Sequence, residues 1–356
     1  MTDRENIVGL LRRTGYEYIL PDYSMAPDLQ RRFREYCEQT GYEPPRSAFV
    51  RVPGTGVVNP KPEDFWWQFY DHDFKDGTHF DYYGVANEPG SEDCLHMTHM
   101  HHPLEQMTEL EELQAYPFPV LADQPSEAQF RAVEQLHEQG RFAMGNMQCT
   151  VWETAWYARG MEVLMMDMMT EPELADYVLD VVTENAVKSA VNYAKVGVDG
   201  LFLGDDVGMQ HSTMMSRELY CRFLKPRLKR VIDAARAVKP DLIVFYHSDG
   251  YIAPFIPDLI EVGVDVLNPI QPECMDFEEL YREFGDQISF LGVLGTQTLM
   301  PFGTPEEVKQ TVFRYLDLLG NRGGLLPCPT HILEPEVPIE NVVAYFEACK
   351  EYRGKK

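Results

Sequence analysis

His247 and Asp249 stand two residues apart in LIVFYHSDG (242–250), directly after a run of five apolar and aromatic residues. In extended backbone, side chains at i and i+2 leave the same face, so this imidazole and this carboxylate can share a metal ion or a substrate oxygen. The plainer reading is a histidine hydrogen-bonded at a strand end, with the aspartate capping the next helix. A second pair of acids, Asp205 and Asp206, follows the apolar run LFLG. Adjacent acids often amount to a helix cap and a solvated neighbour; one that faces inward can act as a base or orient a ligand. His96, His99, His101 and His102 fall within seven residues of SEDCLHMTHMHHP, a density found in metal-binding loops and also in surface loops. Lining a substrate pocket is the reading favoured for them.

The elements that would position these groups follow a regular pattern. From about residue 140 onward, strand-like apolar runs alternate with helical ones: RFAMGNMQC, VDGLFLGDD, LIVFYHSDG, VDVLNPIQPE, ISFLGVLGTQ and GGLLPCPTH are the strands. Between them, ELADYVLDVVTENAVKSAVNYAKVG has apolar residues at helical spacing and ends on Gly197. TPEEVKQTVFRYLDLLG opens with a capping-box arrangement, Thr304 with Pro305 and Glu307. Such alternation predicts parallel strands joined by right-handed crossovers. Six strands need two more to close an eight-stranded ring, and YEYILPDYS (16–24) and, less regularly, THFDYYGVANEP (78–89) are the candidates. The expected fold is α/β, one (β/α)8 TIM barrel over residues 1–356, with an N-terminal extension and insertions at the mouth. Residues 41–77, rich in proline, glycine and aromatics, are expected to be such an insertion, and 41–110 in part to be loop over the mouth. An open doubly wound sheet is the alternative.

In such a barrel, side chains at the carboxyl ends of the strands face one open mouth. That places Asp22 and Tyr23, Gln148, Trp152 and Glu153, Asp205 and Asp206, His247 and Asp249 there. Asn268, Gln271 and Glu273, Thr296 and Gln297, and Cys328, His331 and Glu334 join them. Imidazole with carboxylate oxygens makes a plausible zinc shell, and catalytic zinc commonly takes three protein ligands. His247 and Glu273 with His331 or Asp249 could supply them.

Bulk composition sets the surroundings. The chain has 356 residues and a formal net charge of −26, which argues against nucleic acid and anionic membrane surfaces as partners. Seven cysteines without CxxC pairs suit a reducing compartment better than a disulfide framework. No secretory leader or membrane span is read in the sequence, so a cytoplasmic protein is expected.

Four segments, GDDVGMQHSTMMSRELYCRFLKPRLKRVID, YHSDG, IPDLIEVGVDVLNPIQPE and GGLLPCPTHILEPEVPIEN, resemble the uroporphyrinogen decarboxylase superfamily from about residue 75 to the end. The resemblance is greatest to its anaerobic, corrinoid-dependent methyl-transfer branch. It implies a (β/α)8 barrel and, from the methylcobamide:thiol members, zinc held by a His-x-Cys pair and a distant cysteine. On that pattern His247 falls at the histidine, Asp249 at the first cysteine and His331 at the second; Cys328 is three residues out of register. A related zinc-dependent methionine synthase barrel implies a glutamate ligand one strand later, about where Glu273 stands. Loss of both thiolates gives a harder shell and weakens the expectation of a thiol substrate. The arginine-rich segment with which the decarboxylase branch grips substrate carboxylates has no counterpart in EYILPDYSM.

The sequence therefore points to the methyltransferase component of a corrinoid system. It would demethylate a small substrate, for instance an aryl methyl ether, with zinc as Lewis acid and the corrinoid on a separate partner protein. The metal set is His247, Asp249, Glu273 and His331; Asp205, Asp206 and Glu153 are the acid–base candidates. His96, His99, Gln148, Trp152 and Tyr246 are the substrate-binding candidates, with Trp66, Trp67 and Trp156 as further pocket aromatics or simply core. The alternatives are a metal-independent decarboxylase with an aspartate moving the proton, and an inert relative that only binds. Family members are often dimers, so a homodimer is expected.

Overall fold

The computed structural model describes residues 1–90 and 98–352. β1 (Phe49–Val52) opens a parallel sheet. A separate three-stranded antiparallel sheet follows, of β2 (His79–Phe80), β3 (Ala86–Pro89) and β4 (Thr98–His101). The parallel sheet resumes with β5 (Phe142–Gln148), β6 (Gly200–Gly204), β7 (Ile243–His247), β8 (Val266–Asn268), β9 (Ser289–Leu291) and β10 (Leu325–Leu326). Its order is β1-β5-β6-β7-β8-β9-β10, every pair parallel. A doubly wound sheet reverses its strand order at a switch point; here each crossover moves one place in the same direction, so that alternative is not the fold.

The sheet is curled. Phe49 of β1 and Phe245 of β7 pack ring to ring with centroids 5.4 Å apart, although β5 and β6 lie between their strands. In a flat sheet, three spacings of about 4.8 Å would separate the strands by about 14 Å. Phe142 of β5 and Phe202 of β6 complete this aromatic interior. All five residues of β7 are buried, which explains its unbroken apolar run: strands covered by helices on one side and the sheet interior on the other do not alternate.

The helices form where the periodicity places them. The helix Pro172–Val196 begins with proline in its first turn and ends on Gly197 at φ 86°, a left-handed cap that glycine adopts without strain. Leu174, Val178, Val182, Ala186, Ala190 and Tyr193 are its buried stripe. Thr304 and Glu307 close the expected capping box on Pro305–Leu319. The N-terminal helix Asp3–Leu11 lies at the amino ends of the strands, where Arg4 and His137 hold Asp199, just before β6.

Two strand expectations are corrected. Residues 78–89 do not enter the parallel sheet; they supply β2 and β3, and the half-buried alternation of β3 is that of an antiparallel sheet with one wet face. The parallel strand comes instead from β1, inside the region expected to be a mouth insertion. FVRV is only four residues long and has an arginine within it, so it lacks a strong apolar signature. Residues 16–24 form no strand but do bridge the ends of the sheet. Pro21 O accepts from Ala48 N–H at 2.7 Å, just before β1, and Ser24 O accepts from Leu333 N–H at 3.0 Å, after β10. The Tyr345 hydroxyl lies 3.1 Å from both Asp22 O and Pro327 O.

Candidate metal centre

Register brings the chemistry together. Gly204, His247 and Asn268 are aligned across the carboxyl ends of β6, β7 and β8. Gly204 must be glycine: a Cβ there would stand 2.6 Å from both His247 Cβ and His247 O. The loops beyond pack backbone on backbone, since a Cβ on Gly208 would meet Asp249 O at 2.4 Å. These contacts draw the segment after β6, carrying Asp206, onto the segment after β7, carrying Asp249. Asp249 N–H donates to Asp206 Oδ1 at 2.8 Å.

His247 is 5% exposed and its tautomer is set from behind. Asn268 Nδ2 donates to Leu291 O at 3.1 Å, so its Oδ1 must be the atom facing His247 Nδ1, 2.7 Å away. Nδ1 therefore donates to Asn268, and Nε2 is the ring nitrogen that points forward, free to offer its lone pair to a metal. In front of it lie Asp206 Oδ1 at 3.7 Å and Asp249 Oδ2 at 3.8 Å. Both distances are too long for hydrogen bonds. They suit atoms that share a cation, because bonds of about 2.1 Å at tetrahedral angles put ligands about 3.4 Å apart. The ligand atoms of Asp206, His247 and Asp249 all lie within 4.8 Å of one another. Burial, and then the charge of Asp206, raises the Asp249 carboxyl above its usual range, and His247 and His331 oppose the rise. Three acceptors converging in this way fit a divalent cation that accepts hard and borderline donors.

The expected metal residues separate. His247 and Asp249 are in this group of three; the third member is Asp206, expected as an acid or base. His331 stands half-exposed across the cleft, with Nε2 3.8 Å from Asp249 Oδ2. Glu273 is outside the group: its Oε1 accepts from Thr298 Oγ1 at 2.7 Å and Gln297 N–H at 3.3 Å, and it packs against Gly295. Its Oε2 is buried with no hydrogen-bond partner among the described residues. A cleft of about 470 Å³ opens beside the centre, bounded by Asp249, Gln271, Thr296, Gln297, Thr330 and His331, with Met209 and Phe302 at its rim.

The acid–base candidates also divide. Asp205 is buried, and its carboxylate accepts from Val151 N–H at 3.0 Å and Glu153 N–H at 2.9 Å. It thus caps the helix Trp152–Arg159, and burial raises its carboxyl well above the usual range. Glu153 stands nearer the centre. Its Oε2 accepts from Asp206 N–H at 3.2 Å and its Oε1 from the Tyr157 hydroxyl at 2.9 Å. Burial, then the charge of Asp206, pushes its carboxyl up as well.

Of the substrate candidates, Gln148 ends β5, partly exposed. Trp152 and Tyr246 are fully buried, the Tyr246 hydroxyl donating to Asp205 O at 3.2 Å, so both belong to the core and not to the cleft wall. Trp66 is likewise core, and Trp67 is on the surface. His99 is on β4, opposite Glu88, and does not line the cleft. His96 lies outside the described residues. Cys328 is buried, its thiol pushed far above the usual range by that burial. Neither Tyr157 nor the locking role of Asn268 carries a sequence signature of its own, although Tyr157 is one helical turn from Glu153, the spacing at which two side chains meet.

The profile of the uroporphyrinogen decarboxylase family matches residues 96–352. A methylated-thiol–coenzyme M methyltransferase of Methanosarcina mazei is 28% identical over 206 residues, 55% of this chain and 50% of that protein. A uroporphyrinogen decarboxylase of Chlorobium limicola is 24% identical over 187 residues, 52% of this chain and 51% of that one. The matched stretch thus spans about half the length of these curated relatives. A solved methyltransferase structure from Methanosarcina mazei superposes over 99% of both chains with a TM-score of 0.62 at 16% identity, a likeness of fold. With the family profile covering most of its length, the chain belongs to the uroporphyrinogen decarboxylase family.

Proposed function

We propose that this chain is the methyltransferase component of a corrinoid-dependent system. It would take a methyl group from a small oxygen-bound donor, such as an aryl methyl ether, and pass it to a corrinoid carried by a separate protein. The barrel would be closed as an eight-membered ring by residues 21–26, with the whole chain acting as one cytoplasmic domain. The observation that carries this reading is the tautomer-locked His247 facing two carboxylates beside an open cleft.

Asp206, His247 and Asp249 would hold a divalent cation, zinc first, with His331 across the cleft as a further donor. A cation held there would supply a Lewis acid for the donor's oxygen. Asn268 keeps the His247 lone pair forward. Gln271, Thr296 and Thr330 offer amide and hydroxyl groups to orient the donor. Glu153, its carboxyl pushed up by burial, would hold the proton that the departing oxygen takes. An oxygen donor is preferred to a thiol because the two positions at which the family resemblance implies thiolates hold Asp249 and His331.

The test is incubation with candidate methyl ethers and a reduced corrinoid protein, followed by the corrinoid's absorption spectrum. Methylation that is lost in His247→Ala supports the reading; no methylation with any donor counts against it. The relatives that are decarboxylases favour a second reading, metal-independent decarboxylation. Activity that persists in a chelated, metal-free protein would select it. Light scattering at several concentrations tests for the homodimer that the resemblance implies.

A further inference from the structure

We infer that the chain has a second cation site, remote in sequence from the first, at His72, Glu88 and His101. Glu88 lies on β3 and is 6% exposed. His101 lies on the neighbouring β4, and His72 on the loop that precedes β2. One carboxylate oxygen, Glu88 Oε2, is the meeting point: His72 Nε2 is 3.1 Å from it and His101 Nε2 is 3.8 Å from it. The ligand atoms of the three residues all lie within 4.8 Å of one another.

The second observation is the state of His101 Nε2. It is buried and finds no hydrogen-bond partner among the described residues, although it points at a carboxylate. A simple ion pair would close that gap; an ion between the three atoms explains why it stays open. The surroundings hold the donors in place. The two imidazoles lie 4.3 Å apart, centroid to centroid, and Phe74 packs edge-on against both, at 4.8 and 5.2 Å. Lys75 fixes the carboxylate from outside: its Nζ is 2.9 Å from Glu88 Oε1 and its backbone N–H donates to Oε2 at 3.3 Å, the oxygen that also faces the histidines.

Two imidazoles and one carboxylate suit a borderline divalent cation, Zn²⁺ before Mg²⁺ or Ca²⁺, which prefer oxygen. Bound there, it ties the loop that carries His72 to the antiparallel sheet. The role is structural, and the site needs neither the cleft nor its substrate.

Zinc titration with a competing chelator in the His247→Ala protein, which lacks the first centre's imidazole, isolates this site. One equivalent is expected to bind, with an affinity reduced on the order of 100-fold by a further His101→Ala or Glu88→Gln. Zinc should raise Tm in His247→Ala and not in the double variants. X-ray absorption on the zinc-loaded His247→Ala protein should show two imidazoles. A failure of the first centre would appear as unchanged zinc binding on adding His247→Ala to wild type, and would leave this result intact. The proposal is overturned if His247→Ala binds no zinc, or if the double variants, folded by circular dichroism, bind it as well as their parent.

Discussion

The side-chain amide of Asn268 joins His247 to β9: it accepts from the ring at 2.7 Å and donates to Leu291 O at 3.1 Å. The second bond fixes which way the amide faces, and so which ring nitrogen is free. Replacing Asn268 with alanine would remove the acceptor behind the ring and let the tautomer equilibrate. Partners of this kind are typically worth about 10–100-fold in metal affinity. Zinc titration of Asn268→Ala should show a loss of that size with the fold intact by circular dichroism. An unchanged affinity would mean that His247 is oriented by its packing alone.

Asp205 and Glu153 look alike in sequence, as acids near a strand end, yet the structure gives them different partners. Asp205 accepts two backbone N–H groups at the start of Trp152–Arg159. Asp205→Ala should cost about 1–2 kcal/mol in urea unfolding, the usual scale for a lost helix cap. Glu153→Gln keeps an acceptor for the Tyr157 hydroxyl and cannot carry the acid's proton. It should unfold like wild type and, if Glu153 holds the leaving oxygen's proton as proposed, lose the proposed methyl transfer by about 10²–10⁴-fold, the range for a missing general acid. Equal stability losses in the two variants would erase the distinction.

Much of this was legible in the sequence. The six strands from residue 142 onward announce themselves because strands buried on both faces are continuous apolar runs, and their ends carry the polar residues. What the sequence withheld depends on register and on short elements. Asp206 is set beside His247 by the alignment of Gly204 with His247, a pairing between residues 43 apart in the chain. Glu273, one strand further along, is the glutamate that order alone selects; Gln297 and Thr298 hydrogen-bond its Oε1, outside the group that converges on His247. β1 is silent in the sequence because the four residues of FVRV, Arg51 among them, are too few to show a period. Tyr246 and Trp152 suit a pocket by type and position, but on β7 inward and outward differ by one residue, and Trp152 opens a helix that packs it away; both are buried in the core.

Asp81 supplies a pH test away from the cleft. Its carboxylate accepts from Tyr83 N–H at 2.8 Å and Val85 N–H at 3.0 Å, but burial outweighs these bonds and raises its pKa from 3.8 to about 6. Between those values the native state keeps a proton that the unfolded chain has released, so this group's contribution to stability falls as pH rises. The contribution is whole below 3.8 and gone above about 6. The shift corresponds to about 2 kcal/mol once the partial exposure of Asp81 is allowed for. In urea titrations across this range, wild type should lose that much relative to Asp81→Asn, which has no proton to release. Parallel profiles would show that the carboxyl is solvated.

Asp206 and Glu273 give opposed expectations for the third ligand. If the cation sits where Asp206, His247 and Asp249 converge, Asp206→Asn removes a charged donor 3.7 Å from the imidazole nitrogen. Binding should weaken by at least the 10–100-fold seen when even an outer partner is lost. Glu273→Gln retains an acceptor for Thr298 and Gln297 and changes no member of the converging group, so zinc affinity should stay within about twofold of wild type, the scatter expected of a residue with no shared partner. The reverse pattern, with Glu273→Gln stripping the metal and Asp206→Asn keeping it, would place the ion one strand further along the sheet. Asp206 would then be free to act on the substrate, and Glu273 Oε2, buried and without a partner among the described residues, would be the atom that the ion meets.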